Sequence, residues 1–226
     1  MTIGIIIAMD KELEQLLPLL SGLNEEVING KKFFRGNLTD DKELIVLKCG
    51  IGKVNAAIGA VELINNFKPT CVISSGVAGG ATTNIPRLNV VASTEVAYHD
   101  VYCFSDNEYG QIQGMPTRFP SDQRMIEIAS DIDNVTTGLI ASGDWFVDSK
   151  EKAGYILDHF PDTLAIDMES GAISQTCYVY NVPFISFRII SDIPLDSIKG
   201  EQYFDFWDRI ADGSFEVLRE FIKRLS

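Results

Sequence analysis

Histidine and paired cysteine are scarce in this sequence. The two histidines among its 226 residues are His99 and His159, and neither has a partner at the spacing of a metal-binding motif. The four cysteines form no CxxC pair, so we expect free thiols in a reducing compartment, the cytoplasm. These shortages argue against a histidine- and cysteine-based metal centre and against a disulfide-rich fold.

Long apolar runs and positive charge are also in short supply. No run reaches the roughly 18 apolar residues of a membrane-spanning helix, and the apolar start Met1–Met9 lacks the basic residues of a signal peptide. Lys and Arg number 19 against 32 Asp and Glu, which gives a formal net charge of -13. That excess repels nucleic-acid phosphates and anionic lipids, so we expect no nucleic-acid partner and no membrane partner.

What the sequence does contain is an ordinary globular composition in alternating blocks. Hydrophobic residues make up 46% and charged residues 23%, in a length that suits a single domain over residues 1–226. The β-branched run Ile3–Ala8 predicts a buried strand, and the alanine-rich segment Lys53–Phe67 predicts a helix. Such alternation predicts an α/β domain around a mostly parallel sheet. The other predicted strands are Phe33–Asn37, Glu43–Cys49, Thr70–Ser74, Asn89–Tyr98, Val135–Ser142 and Pro183–Ile190. The other predicted helices are Asp10–Leu20, Asp122–Ser130, Met168–Tyr180 and Gln202–Leu225.

Acidic side chains follow several of the predicted strands. Ligands bind beyond the carboxyl ends of the strands in open α/β sheets, which makes these positions candidate sites. Two carboxylates with separated pKa values can act as one acid and one base, but Asp and Glu at such positions also serve as helix caps. Spacing alone leaves both interpretations open. The acidic residues that follow strands are Asp10, Glu12, Asp144 and Asp192, and Asp167 and Glu169 add another pair at the start of a predicted helix.

Two glycine-rich segments also follow predicted strands. Gly50–Lys53 is followed by Val54, where a phosphate-binding P-loop needs Ser or Thr. Gly76–Gly80 does not match GxGxxG, and we expect a tight turn that lets the backbone approach a ligand. No GxSxG nucleophile motif occurs. The aromatic pair Trp145 and Phe146 can stack on a base or pack in the core.

Short motifs at these strand ends form an ordered series along the chain. They are Ile3–Glu12, Cys49–Ala57, Gly76–Gly80, Tyr98–Asp100, Glu108–Gln111, Ser142–Val147, Asp167–Ser170 and Ser191–Asp192. In this order, and over nearly the whole chain, the sequence resembles the 5'-methylthioadenosine/S-adenosylhomocysteine nucleosidases of the nucleoside phosphorylase superfamily. The resemblance implies a single-domain three-layer sandwich with a mixed central sheet flanked by helices. It also implies hydrolysis of the N-glycosidic bond of these two nucleosides, with release of adenine and without a metal or organic cofactor.

The resemblance further implies roles for individual residues. Glu12 would position or deprotonate the attacking water, and Asp192 would donate a proton towards purine N7. Met168 and Glu169 would hold the ribose. The other implied substrate contacts are Phe146 and Val147 at the adenine, Ile51 and Phe204 at the 5'-alkylthio group, and Val77, Ala78, Gly79 and Ser191 elsewhere in the pocket.

The family pattern also implies a homodimer, in which residues 101–116 of one subunit would complete the pocket of its partner. This sequence departs from that pattern in four places, one of which is the divergent segment Ser197–Glu201. Asp167 stands where many relatives carry Glu, Val77 replaces a small polar residue, and the stretch 101–107 is divergent. Residues 101–107 would form part of the outer wall of the implied pocket, so their divergence affects which 5'-substituent the pocket would prefer.

Three alternatives remain open on the sequence. Phosphorolysis on the same fold would need cationic donors for phosphate, and the segments Asp10–Glu12 and Gly76–Gly80 together offer a single lysine. Arg35, Arg87 and Arg188 are candidate phosphate ligands, although a structural ion pair accounts for each. Another 5'-modified adenine nucleoside, such as aminodeoxyfutalosine, would use the same base and ribose contacts. A non-catalytic nucleoside-binding domain would not need both an acid and a water-activating base.

Overall fold

The computed structural model describes residues 1–82, 84–104, 106–195, 206 and 214–225. Over these residues a mixed sheet of ten strands packs against six α-helices, in agreement with the fold class expected from the sequence. The strands are β1 Thr2–Ile7, β2 Ser21–Ile28, β3 Lys31–Thr39, β4 Lys42–Lys48, β5 Cys71–Gly80, β6 Val90–Tyr98, β7 Arg118–Pro120, β8 Val135–Ser142, β9 Thr163–Asp167 and β10 Phe184–Asp192. The helices are α1 Asp10–Leu16, α2 Lys53–Phe67, α3 Gln123–Ser130, α4 Lys150–His159, α5 Ser170–Tyr180 and α6 Ser214–Arg224.

The isoleucine-rich strand β1 lies inside the sheet. It pairs in parallel with β4 on one side and β5 on the other, so that Ile5 lies opposite both Val46 and Ile73. All but its first residue are buried. Burial on both faces is typical of inner parallel strands and accounts for the continuous apolar run.

The sheet closes on itself around β5. The first half of β5 pairs with β1, whereas its second half pairs with β9, where Gly79 lies opposite Ile166. On its other side β5 pairs with β10, and the pairing continues through β6 and β8 back to β9. β5, β10, β6, β8 and β9 therefore form a closed ring, and β1, β4, β3 and β2 extend from it. Because β1 and β9 pair with different halves of β5, a gap opens between the end of β1 and the end of β9.

Helices cover the two faces of the sheet and make the outer layers of the sandwich. α1, α3 and α6 contribute apolar side chains to one core cluster, and α2 and α5 contribute to the other. α2 begins after Gly52, which has a φ of 93°, and ends at Lys68 in the left-handed conformation common at helix C-termini. None of the described helices combines the length and the apolar character needed to cross a membrane.

The structure corrects two of the predicted elements. The segment Gly76–Gly80, expected to be a tight turn, is the second half of β5, and its backbone pairs with β10 and β9. The helix expected over Asp10–Leu20 ends at Leu16 and gives way to a 3-10 turn over Leu17–Leu19. Pro18 explains the change, because proline has no N–H to continue the α-helical hydrogen bonding.

Other elements were not predicted or extend beyond the prediction. β2, α4 and β9 were missed, and β7 ends a stretch expected to be loop. β2 is exposed at almost every position, so its sequence shows no alternation of apolar and polar residues. The predicted closing helix Gln202–Leu225 contains α6, whereas positions 202–205 and 207–213 lie outside the described residues.

Candidate active site

A cavity of about 660 Å³, measured out to its open mouth, lies where the ends of β1, β5, β9 and β10 meet. The sequence-predicted site residues that line the cavity are Glu12, Ile51, Val77, Ala78, Gly79, Phe146, Val147, Met168, Glu169, Ser191 and Asp192. The remaining predicted residue, Phe204, lies outside the described residues.

The cavity wall contains five further residues that are not among the predicted substrate contacts, although Trp145 and Asp167 had been considered as candidates. They are Ala8, Met9, Trp145, Ile166 and Asp167. Each lies at or just after the end of a strand, next to residues that were assigned. The rule that ligands bind beyond strand ends is therefore consistent with all five positions.

Glu12 is buried, with 2% of its surface exposed. Because α1 starts soon after β1, its side chain folds back to the end of that strand, where Oε2 accepts from the N–H groups of Ala8 at 2.9 Å and Met9 at 3.0 Å. Oε1 accepts from the N–H of Val77 at 3.1 Å. Burial raises the pKa of Glu12, and Arg188 and the three N–H donors oppose that rise. All three of these hydrogen bonds come from N–H donors, which stabilise an ionised carboxylate, and a general base must be ionised.

Gly76 is the neighbour that leaves room for this carboxylate. A Cβ atom at position 76 would lie 2.6 Å from Oε1 of Glu12. Gly76 is not among the residues with a positive φ, so its backbone would accept another residue. The close approach to Glu12 is therefore the reason for glycine at this position.

Arg188 lies beneath the site and is almost completely buried. Its Nε donates to Oδ2 of Asp167 at 2.6 Å, while its terminal nitrogens donate to Ser74 Oγ at 2.8 Å and to the carbonyl of Phe187 at 3.0 Å. Burial lowers the pKa of Arg188, but the surrounding carboxylates raise it by more, so the guanidinium stays charged. The ion pair therefore places one fixed positive charge behind the acidic residues of the cavity.

Glu169 lies between this ion pair and the first turn of α2. Its Oε1 accepts from the N–H of Gly52 at 2.8 Å. Burial, reinforced by the negative charge of Asp167, raises the pKa of Glu169 to about 7. The group therefore changes charge close to neutral pH while it faces the cavity.

Asp192, at the end of β10, is the other partly buried acid of the cavity wall. Its Oδ1 accepts from the hydroxyl of Ser191 at 2.6 Å. Burial raises the pKa of Asp192, opposed by that hydrogen bond and by the positive charge of Arg87. A raised pKa is the expected direction for a general acid, because it keeps a proton available.

Three other polar residues singled out in the sequence make structural contacts. Asp144 accepts from the N–H of Lys53 at 2.8 Å and so caps α2. Arg35 pairs with Glu43, as expected of a structural ion pair. The Nε of Arg87 donates to the carbonyl of Ser191 at 2.8 Å.

Comparison with known proteins identifies the family. The family model of the phosphorylase superfamily matches residues 2–224. The 5'-methylthioadenosine/S-adenosylhomocysteine nucleosidase of Oceanobacillus iheyensis is 41% identical over 199 residues, which cover 85% of this chain and 86% of that protein. The chain belongs to the 5'-methylthioadenosine/S-adenosylhomocysteine nucleosidase family.

Solved structures from this family have the same fold. The nucleosidase of S. pneumoniae, with a transition-state inhibitor MT-ImmA, superposes with a TM-score of 0.93 at 33% identity and covers 100% of both chains. The nucleosidase of Colwellia psychrerythraea 34H in complex with adenine gives a TM-score of 0.92 at 30% identity, and covers 100% of this chain and 96% of that chain. These superpositions confirm the nucleoside phosphorylase-like architecture that the sequence predicted for this chain.

Proposed function

We propose that this chain hydrolyses the N-glycosidic bond of 5'-methylthioadenosine and S-adenosylhomocysteine and releases adenine. The observation that carries the proposal is the placing of Glu12 and Asp192 on the wall of one cavity. Glu12 accepts three backbone N–H groups, contacts that favour the ionised form of a base, and burial raises the pKa of Asp192, which favours the protonated form of an acid. The family membership supports the same reaction, because the named relatives are nucleosidases for these two nucleosides.

The proposed reaction uses the two carboxylates at opposite ends of the breaking bond. Cleavage of the C1'–N9 bond leaves electrons on the purine and an oxocarbenium-like charge on the sugar. Asp192 gives its proton to N7, which makes adenine a better leaving group, and Glu12 orients a water and takes its proton as the water attacks C1'. Positioned acid and base groups of this kind each supply roughly 10²–10⁴-fold.

The remaining cavity residues have proposed roles in holding the nucleoside. Glu169 accepts from the ribose hydroxyls beside Met168, and Phe146 stacks on the adenine while the backbone of Val147 reads its edge. Ile51 contributes to an apolar pocket for the 5'-substituent. These roles are supported by the position of each residue on the cavity wall.

Water is favoured over phosphate as the nucleophile because the positive charge of the site is already engaged. Every guanidinium nitrogen of Arg188 makes a hydrogen bond within the protein, and its partners include the carboxylate of Asp167. Glu12 and Glu169 would both repel a phosphate placed near them. Arg35 pairs with Glu43 on β4, and neither residue lines the cavity.

We also propose that the protein acts as a homodimer in the cytoplasm, and that residues 101–116 complete the pocket of the partner subunit. Large apolar side chains are exposed on neighbouring parts of α2 and α5, and others lie in the 101–116 segment. Contiguous exposed apolar patches mark interaction surfaces in many proteins. The side chains concerned are Val54 and Ile58 on α2, Tyr178, Val179 and Tyr180 on α5, and Tyr102 and Phe104 in the segment. All four cysteines are free thiols, which suits a reducing compartment.

Adenine release in phosphate-free buffer tests the proposed reaction. We expect release from 5'-methylthioadenosine and S-adenosylhomocysteine at a rate that neither added phosphate nor a chelator changes. Activity that depends on phosphate, with accumulation of a ribose 1-phosphate derivative, would establish phosphorolysis instead. A parallel assay with aminodeoxyfutalosine distinguishes the other 5'-modified nucleoside, since a higher kcat/KM on it would reassign the substrate.

A further inference from the structure

Asp100, two residues after the end of β6, is a nearly buried carboxylate that does not line the cavity. Its Oδ2 accepts from Lys53 Nζ at 2.8 Å and from the N–H of Asp144 at 2.8 Å. Lys53 is the first residue of α2, and Asp144 precedes Trp145 and Phe146 of the cavity wall. One oxygen atom thus joins two segments that contribute to different sides of the site.

The first turn of α2 carries this connection further into the site. The N–H of Lys53 donates to Asp144 Oδ1 at 2.8 Å, and the N–H of the preceding Gly52 donates to Glu169 Oε1 at 2.8 Å. Unpaired N–H groups at a helix N-terminus attract carboxylates, so both contacts are favourable. Gly52 has a φ of 93°, and a Cβ there would lie 3.1 Å from Asp144 Oδ1, so this turn leaves little freedom.

His99 and the side chain of Asp100 are enclosed within the protein. Oδ1 of Asp100 and both ring nitrogens of His99 are buried and have no hydrogen-bond partner among the described residues. The His99 ring also lies 5.4 Å from the ring of Trp145, which is part of the cavity wall.

We propose that Asp100 and Lys53 form a positioning pair that holds the aromatic wall 143–147 and the carboxylate of Glu169 at the spacing a bound nucleoside requires. This inference rests on the proposed function, since it concerns the base-binding and ribose-binding sides of the same cavity. The pair touches neither the substrate nor the reacting bond. It acts on binding, because it sets the distance between the group that stacks on the base and the group that holds the ribose.

The change Lys53→Met removes the charge and keeps most of the side-chain volume. We expect KM for 5'-methylthioadenosine to rise roughly tenfold, which corresponds to about 1.4 kcal/mol, while kcat stays within about threefold because binding is lost equally in the ground and transition states. Lys53→Arg should restore most of the affinity. Asp100→Asn should raise KM similarly, and the double variant should be no worse than either single variant, because both changes break the same contact.

Lys42→Met is the matched control. Lys42 is a buried lysine that donates to the carbonyl of Lys223 at 2.9 Å, and neither residue lines the cavity. Its loss should lower the melting temperature and leave KM unchanged. A KM rise of equal size in Lys42→Met, or a rise at Lys53 that accompanies loss of the dimer in light scattering, would overturn the positioning role.

The position of the aromatic wall 143–147 can also be measured without an activity assay. The chain has two tryptophans, at positions 145 and 207, so in a Trp207→Phe background the fluorescence reports on Trp145. Lys53→Met should increase acrylamide quenching of Trp145, and Lys42→Met should not. Unchanged quenching together with unchanged KM would refute the pair, whereas an inactive wild type would refute the proposed reaction and leave this measurement valid.

Discussion

The lack of space between Gly76 and Glu12 predicts that Gly76→Ala disables the enzyme by moving Glu12. The new Cβ would lie 2.6 Å from Oε1 and 3.3 Å from Cδ of Glu12, well inside the van der Waals separation of about 3.5 Å. The backbone of Gly76 has no positive φ, so it tolerates alanine and the strain falls on the carboxylate. Glu12 must therefore move by roughly 1 Å, since side chains yield more easily than strand backbone.

Both the rate and the stability should respond to that movement. A misplacement of about 1 Å costs on the order of 10²-fold in rate, so we expect kcat for adenine release to fall by about that factor. The hydrogen bond from Val77 to Oε1, 3.1 Å long, is the first that the movement breaks. Hydrogen bonds to charged groups contribute about 1.5–3 kcal/mol, so the free energy of unfolding should fall by about 2 kcal/mol.

Two matched variants test the reasoning. Gly154→Ala adds the same methyl group within α4, where nothing lies within 4 Å, and should raise stability slightly without altering kcat. Glu12→Ala removes the colliding atom, so adding Gly76→Ala to it should change neither residual rate nor melting temperature much further. If Gly76→Ala kept more than half of the wild-type kcat, or if its effects simply added to those of Glu12→Ala, the close contact would not be the cause.

Three further predictions concern the same site and the assembly. Asp192→Asn and Glu12→Gln should each lower kcat by roughly 10²-fold or more; Asp192→Asn should leave the melting temperature nearly unchanged, whereas Glu12→Gln should lower it because its amide NH2 would face a backbone N–H donor; near-normal turnover in both would refute their catalytic roles. Because the pKa of Glu169 is raised from 4.5 to about 7, its stabilising contribution is present below pH 4.5 and lost as pH rises to about 7. The melting temperature of wild type should therefore fall relative to Glu169→Gln across that window, while KM improves as the carboxylate forms; parallel curves would contradict the shift. Light scattering at micromolar concentration should find a dimer, and a fully active monomer would rule out a shared pocket at residues 101–116.

The sequence alone determined most of the secondary structure near the site and the identity of the lining residues. α2 and β8 have the bounds that were predicted, Lys53–Phe67 and Val135–Ser142, because alanine-rich and β-branched segments carry strong local preferences. The residues assigned by resemblance lie together because the ends of neighbouring strands meet in this class of fold. β2, β9 and α4 were missed because their sequences show weak periodicity, and their places depend on pairing and packing with distant segments.

Only the tertiary structure decided the electrostatics and the tight contacts of the site. The sequence predicted that Gly76 is part of a turn. In the structure Gly76 leaves room for the carboxylate of Glu12, because β5 pairs with β10 and β9 and passes the end of β1. The partners of Arg188 and the raised pKa of Glu169 likewise depend on burial and on charges brought together from separate strands. Local sequence encodes the propensities of each segment, but distances between segments follow from the packing of the whole sheet, because pairing partners far apart in the chain meet only when the fold is complete.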